Sequence, residues 1–231
     1  MESINIINEK IKLCCQKAGR NPSEVKIIAV SKNTGLDLIN QAISAGMKDF
    51  GESKARELSE KTDVINADIK WHFLGHLQRN KVKTVVEIAE YIHSVDSVRL
   101  AEEINRQAFA INKIQKILLE IKTSSEVAKY GITSETELIE IAEYCKSADS
   151  IELEGLMTMA PYTDDIKIIR RSFSDLRNLK TLLNLRGFDI KELSMGMTGD
   201  YETAIEEGST MLRLGSAIFG KRDYSRSWRE Q

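Results

Sequence analysis

The sequence predicts an α/β protein, one (β/α)8 TIM barrel over residues 1–231 with an extra N-terminal helix. Three observations predict it. Short apolar runs without alternation recur along the chain, as parallel strands covered on both faces require. Helical patterns stand between them, and strand–helix alternation means a parallel sheet. Eight such repeats within 231 residues suit a closed barrel better than an open doubly wound sheet.

Taken in order, Ile4, Ile7, Ile11, Cys14 and Ala18 recur at three- and four-residue steps, with Gly19 behind them. That is the added helix and its glycine stop. Lys26–Ser31 reads as the first strand. Further strands are expected at Lys48–Gly51, Ile69–Leu74, Tyr91–Ser94, Ile114–Ile121, Ile151–Met157, Ile190–Ser194 and Met211–Leu214. Each but the last is followed by a helical pattern. The clearest is Asp164–Arg186, where Ile166, Ile169, Phe173, Leu176 and Leu183 share a face. Thr163 or Asp164 can cap its start, and Gly187 ends it. No linker or low-complexity stretch divides the chain, so one domain is expected. An open dinucleotide-binding sheet is disfavoured because Lys32-Asn33-Thr34-Gly35 after the first strand is not a G-x-G-x-x-G fingerprint.

Lys+Arg 33 against Asp+Glu 35 leaves a formal net charge of -2. No basic excess marks a nucleic-acid surface. No apolar stretch approaches a membrane span, and the N-terminus lacks the pattern of a secretion signal. Cys14, Cys15 and Cys145 have neither metal-site nor disulfide-framework spacing, which suits reduced thiols in a cytoplasmic protein.

Chemistry gathers at strand ends. Lys32 follows the first strand at the face where barrel side chains converge on one cavity. A lysine that sheds its hydration there can act as an imine-forming amine, though a surface lysine would look the same in sequence. Leu193-Ser194-Met195-Gly196-Met197-Thr198-Gly199-Asp200 and Leu212-Arg213-Leu214-Gly215-Ser216-Ala217 follow strands seven and eight, where this fold often binds phosphate. Glycines there let backbone N–H groups approach an anion, and Thr198 and Ser216 add hydroxyls. Arg213 is on the last strand itself, and a buried arginine needs a partner. Two partners stay open: the ring nitrogen of a pyridine cofactor, or a barrel carboxylate such as Glu52.

Several segments together resemble a known family. They are Val30-Ser31-Lys32, Phe50-Gly51-Glu52, Trp71-His72-Phe73-Leu74-Gly75-His76-Leu77-Gln78-Arg79-Asn80-Lys81, Gly155-Leu156-Met157, Leu193–Thr198 and Gly208–Gly220. In this order they are similar to the pyridoxal 5′-phosphate (PLP) homeostasis proteins, whose fold is similar to the barrel domain of alanine racemase. The resemblance runs from the opening helix to Tyr224. It implies that PLP is held as a Schiff base on Lys32, that Arg213 faces the pyridine nitrogen, and that Thr198, Gly215 and Ser216 hold the phosphate. Ser194, Met195 and His72 join the candidate cofactor site. Ser53 stands where the family usually has Asn, and its shorter side chain leaves it outside that set.

Other residues have plainer readings. His72 lies in a strand and His76 beyond it, so the two share no helical face and no metal site is expected. Trp71 should pack under a helix, Met157 and Met159 should be core or pocket wall, and Asn80 and Lys81 should cap and solvate a helix. Lys129 reads as a solvent lysine with a second reading as a transient phosphate contact.

The resemblance implies a PLP carrier or regulator that supplies or buffers the cofactor for PLP-dependent apo-enzymes. The cysteines and the N-terminus suit the cytoplasm, and the lack of the dimerising β domain of alanine racemase-like enzymes points toward a monomer. The alternative is an amino-acid racemase. That chemistry needs a second acid/base opposite the lysine, which in alanine racemase-like enzymes comes from an added β domain. The chain ends at Gln231, soon after the barrel, and none of its tyrosines claims a strand end. The carrier is therefore the expectation. A phosphosugar isomerase would leave Lys32 and Arg213 unexplained.

Overall fold

Eight parallel strands close on themselves in sequence order, β1 Lys26–Val30, β2 Asp49–Glu52, β3 Lys70–Phe73, β4 Tyr91–Val95, β5 Gln115–Glu120, β6 Ile151–Met157, β7 Glu192–Ser194 and β8 Met211–Leu214. The computed structural model describes residues 2–123, 130–221 and 227–230. Closure is made by β1, which pairs with β8 from Lys26↔Met211 to Ala29↔Leu214 and with β2 at Ala29↔Phe50. The predicted strands are all present, with ends moved by a residue or two. Between them lie α2 Leu36–Ser44, α3 Ala55–Thr62, α4 Val82–Ile88, α5 Val98–Ala110, α6 Glu135–Ser147, α7 Ile166–Leu185 and α8 Tyr201–Glu206, and α9 Ser216–Phe219 follows β8. The short helix after the last strand is one more than the sequence pattern reveals.

Alternation along the strands produces two apolar layers. Ile28, Tyr91, Leu118, Met157 and Met211 meet inside the barrel. Ala29, Phe50, Trp71, Phe73, Ile92, Ile117, Leu119 and Leu156 join the larger cluster with the surrounding helices, and Trp71 tilts against Phe50 with ring centroids 5.9 Å apart.

The added helix, α1 Glu2–Lys17, packs on α8 and α9. It buries Ile4, Ile7, Ile11 and Cys15, while Cys14 is only partly covered. The face therefore steps four residues from Ile11, not three as the Cys14 reading supposed. Ser3 Oγ donates to Ile218 O at 3.0 Å. Beyond the Gly19 turn, with φ 67°, Arg20 donates to Ile205 O and Ser209 O at 2.9 and 2.7 Å. These bonds tie the segment leading into β1 to the end of α8 and the turn that follows it. α7 starts later than the sequence reading places it. Its cap is Asp165, which accepts from Lys167 N at 2.8 Å, and neither Thr163 nor Asp164 takes that role.

Candidate cofactor site

Lys32 is anchored from the wall behind it. Ser31 and Glu52 face the helix layer, and Lys61 reaches in from α3 with no exposure at all. The Lys61 Nζ donates to Ser31 O, Glu52 Oε1 and Glu57 Oε1, each at 2.7 Å. Ser31 Oγ donates to Glu52 Oε1 at 2.7 Å, and the Asn33 amide donates to Glu57 Oε1 at 2.6 Å. Burial pushes the Glu52 carboxyl above the usual range while Lys61 opposes that shift. Asn33 takes a left-handed φ of 52°. The residues on both sides of Lys32 are thus tied down by one charged network.

This arrangement corrects one of the two partners left open for Arg213. Glu52 is committed to Lys61 on the outer side of the sheet. Its neighbour Gly51 faces inward, where an added Cβ would lie 2.5 Å from Leu74 and 3.0 Å from Ile28. Arg213 is 5% exposed and instead donates through Nη1 to Ser194 Oγ at 2.7 Å and through Nη2 to Thr158 O at 2.9 Å. Among the described residues no carboxylate pairs with it. Burial pushes its guanidinium down to about 10, so it remains charged at neutral pH.

Lys32 and Arg213 line one cavity of about 260 Å3 at the C-terminal ends of the strands. Thr198, Gly199, Gly215 and Ser216 close one side; Val30, Leu74 and Met159 supply apolar wall, and Ser53 and Met197 complete it. Thr198 Oγ1 accepts from the Ala217 amide at 3.2 Å, which joins the β7 loop to the start of α9. Gly196 makes that loop possible: its φ is 97°, and a Cβ would meet Ala204 at 2.6 Å. Its carbonyl accepts from Arg213 N at 2.9 Å.

Five of the sequence-predicted residues, Lys32, Thr198, Arg213, Gly215 and Ser216, therefore come together. Ser194 is fully buried one hydrogen bond behind Arg213. Met195 is fully buried in the layer between sheet and helices, away from the cavity wall. His72 lies deeper in the barrel, stacked on Tyr91 at 5.0 Å and bonded to His93 and Asp49. Ser53 does reach the wall, where the chain packs so closely that a Cβ on Gly75 would sit 2.1 Å from the Ser53 carbonyl oxygen. His76 stacks on Tyr130 at 3.9 Å. Among the described residues no cluster of His, Cys, Asp and Glu could hold a metal. Lys129 and Tyr224 lie outside the described residues. Sequence reasoning missed His93 and Asp49. Their only signal was period-two alternation with known inward residues, Tyr91 and Gly51.

Residues 4–223 match the alanine racemase, N-terminal domain family, which gives the class of the barrel. Full-length relatives narrow it. The pyridoxal phosphate homeostasis protein of Aquifex aeolicus is 36% identical over 96% of this chain and 98% of its own. That of Escherichia coli is 36% identical over 95% of each. The chain belongs to the pyridoxal phosphate homeostasis protein family. Among solved structures, PipY of Synechococcus elongatus with PLP bound superposes with a TM-score of 0.78 at 33% identity, covering 90% of this chain and 98% of that one. Alanine racemase of Clostridium difficile shares the barrel fold, with TM-score 0.77 and 17% identity over 58% of its longer chain.

Proposed function

We propose that this protein binds PLP as a Schiff base on Lys32 and supplies or buffers it for PLP-dependent apo-enzymes of the cytoplasm, acting as a monomer. The residues fit the group. Bound PLP supplies an aldehyde carbon that a primary amine joins reversibly with loss of water, and Lys32 is the amine at the cavity. Arg213 offers a buried charge without a carboxylate partner among the described residues, which suits an acceptor such as a pyridine nitrogen. Thr198, Gly215 and Ser216 stand together as the phosphate side. The homeostasis relatives and the PLP-bound neighbour support the same reading. Among the described residues, no helix is long and apolar enough to cross a membrane.

One observation favours a carrier over the racemase alternative. Among the described residues the cavity wall contains a lysine and an arginine, but no tyrosine, histidine, cysteine or carboxylate. Nothing there stands ready to move a proton on the face opposite Lys32, and losing one positioned acid/base typically costs about a hundredfold to ten-thousandfold in rate. The test combines three measurements on protein incubated with PLP. Borohydride reduction and peptide mapping should place the label on Lys32, and an apo-enzyme should gain activity when PLP-loaded protein is added. Chiral analysis of alanine and serine should show no racemisation at an ordinary turnover, on the order of one per second. Label elsewhere with Lys32 untouched would sink the site, and ordinary racemase turnover would sink the carrier.

A further inference from the structure

A continuous line of hydrogen bonds crosses the barrel interior from Arg213 toward the opposite mouth. Arg213 Nη1 is 2.7 Å from Ser194 Oγ, which is 2.9 Å from His93 Nδ1. His93 Nε2 is 2.9 Å from His72 Nδ1, and His72 Nε2 is 2.9 Å from Asp49 Oδ1. The participants come from β8, β7, β4, β3 and β2. Ser194, His93 and His72 have no exposed side-chain surface, and the Asp49 side chain is 16% exposed.

The chemistry of the two ends decides every proton between them. A guanidinium only donates, so Ser194 Oγ accepts from Arg213 and keeps its own hydrogen to give. His93 Nδ1 is the acceptor beside it because the ionised Asp49 carboxylate at the other end only accepts. Neutral His72 then donates to Asp49 through Nε2 and accepts at Nδ1, and neutral His93 likewise donates through Nε2 to His72 and accepts at Nδ1. Full burial, with His72 and Arg213 next in effect, keeps His93 uncharged. Burial does the same for His72 against the pull of Asp49.

We infer that Asp49, His72 and His93 are positioning residues for Arg213, forming a one-way hydrogen-bond line that holds the Ser194 oxygen toward the guanidinium. A carboxylate directly on Arg213 would hold it as well, but would neutralise the charge beside the cavity. The line fixes one edge of the guanidinium with no carboxylate in hydrogen-bond contact, Asp200 and Glu120 acting on its charge only through space, and each bond polarises the next. Its bearing on the cofactor rests on the proposed placement of PLP against Arg213; the proton order does not.

The first measurement uses PLP-free protein labelled with 15N-histidine at neutral pH. The chain has three histidines, and His76→Gln identifies the third. Both His72 and His93 should show a protonated Nε2 and an unprotonated Nδ1. A hydrogen on Nδ1 of either one overturns the line. The second measurement compares wild type with Asp49→Asn, which keeps size but can offer an N–H to His72, and with Ser194→Ala, which cuts the line beside Arg213. Both should shift the visible absorption of PLP-loaded protein and weaken PLP affinity about threefold to tenfold. If Asp49→Asn fails to fold, Ser194→Ala carries the comparison. Unchanged spectrum and affinity in a folded variant overturns the positioning role. Wild type that takes no PLP on Lys32 overturns the placement of the cofactor instead, and the histidine measurement separates the two failures.

Discussion

Glu120 ends β5 only 5% exposed, and burial, reinforced by the Asp96 carboxylate, pushes its carboxyl from 4.5 up to about 7. The unfolded chain ionises this group near its ordinary value, whereas the folded protein keeps it protonated until about 7. Between those values the folded state holds more protons, so stability falls as pH rises through that window, by roughly 3 kcal/mol at most. Below the window the contribution is fully present. Glu120→Gln mimics the protonated form, so urea unfolding should show a smaller loss of stability from pH 5 to pH 8 than in wild type. Parallel pH profiles for the two proteins would refute the assignment. At this scale the sequence shows some residues and hides others. Lys32 and Arg213 stand out because strand ends and glycine loops flag them. His93 sits in Tyr91-Ile92-His93-Ser94-Val95, which reads as an ordinary buried strand. Its role appears only when the barrel brings it to Ser194, 101 residues away.

Helix α3 shows why elements carry information that single residues do not. Its sequence, Ala-Arg-Glu-Leu-Ser-Glu-Lys-Thr, is rich in charge and looks like a solvated surface helix. Yet it lies so close over β1 and β2 that Lys61 is wholly buried, and the Trp228 ring covers its ammonium at 5.3 Å. Hydrophobic pattern cannot reveal a buried lysine, because its burial depends on partners from three other places in the chain. Pattern does work where packing is apolar: all eight strands were legible, and so was the α7 face from Ile169 to Leu183, although Ile166, which the pattern places on that face, is 60% exposed at the first turn of the helix. It fails by a residue at Cys15 and at the Asp165 cap, where the choice rests on local geometry rather than composition. Lys61→Met would leave Glu52 and Glu57 buried without their cation. Breaking such a pair by removing one partner typically costs about 3–5 kcal/mol. Urea unfolding at neutral pH should show a loss of that order, and a loss below about 1 kcal/mol would mean that the network contributes little. PLP uptake should also slow, because Ser31 O and Asn33 N lose their fixed neighbours.

The whole molecule is one closed sheet, and its candidate site draws on both ends of that closure. Lys32 follows β1, Arg213 lies on β8, and those strands are paired partners. A ligand that bridges them binds the folded barrel and has no equivalent site in the unfolded chain. PLP should therefore stabilise the fold by mass action, about 2.7 kcal/mol at a hundredfold excess over Kd. For a domain of this size each kcal/mol moves Tm by about 2–4 °C, so saturating PLP should raise Tm by about 5–11 °C. Scattered lysines that react with PLP in the unfolded chain would reduce the rise. They would do so equally in Lys32→Ala, which is why that variant is the control. Differential scanning calorimetry should show the full rise in wild type and most of it lost in Lys32→Ala, since the hydroxyls and backbone of the phosphate side remain. Equal rises in both proteins would mean that the stabilising contact lies elsewhere than the β1–β8 junction.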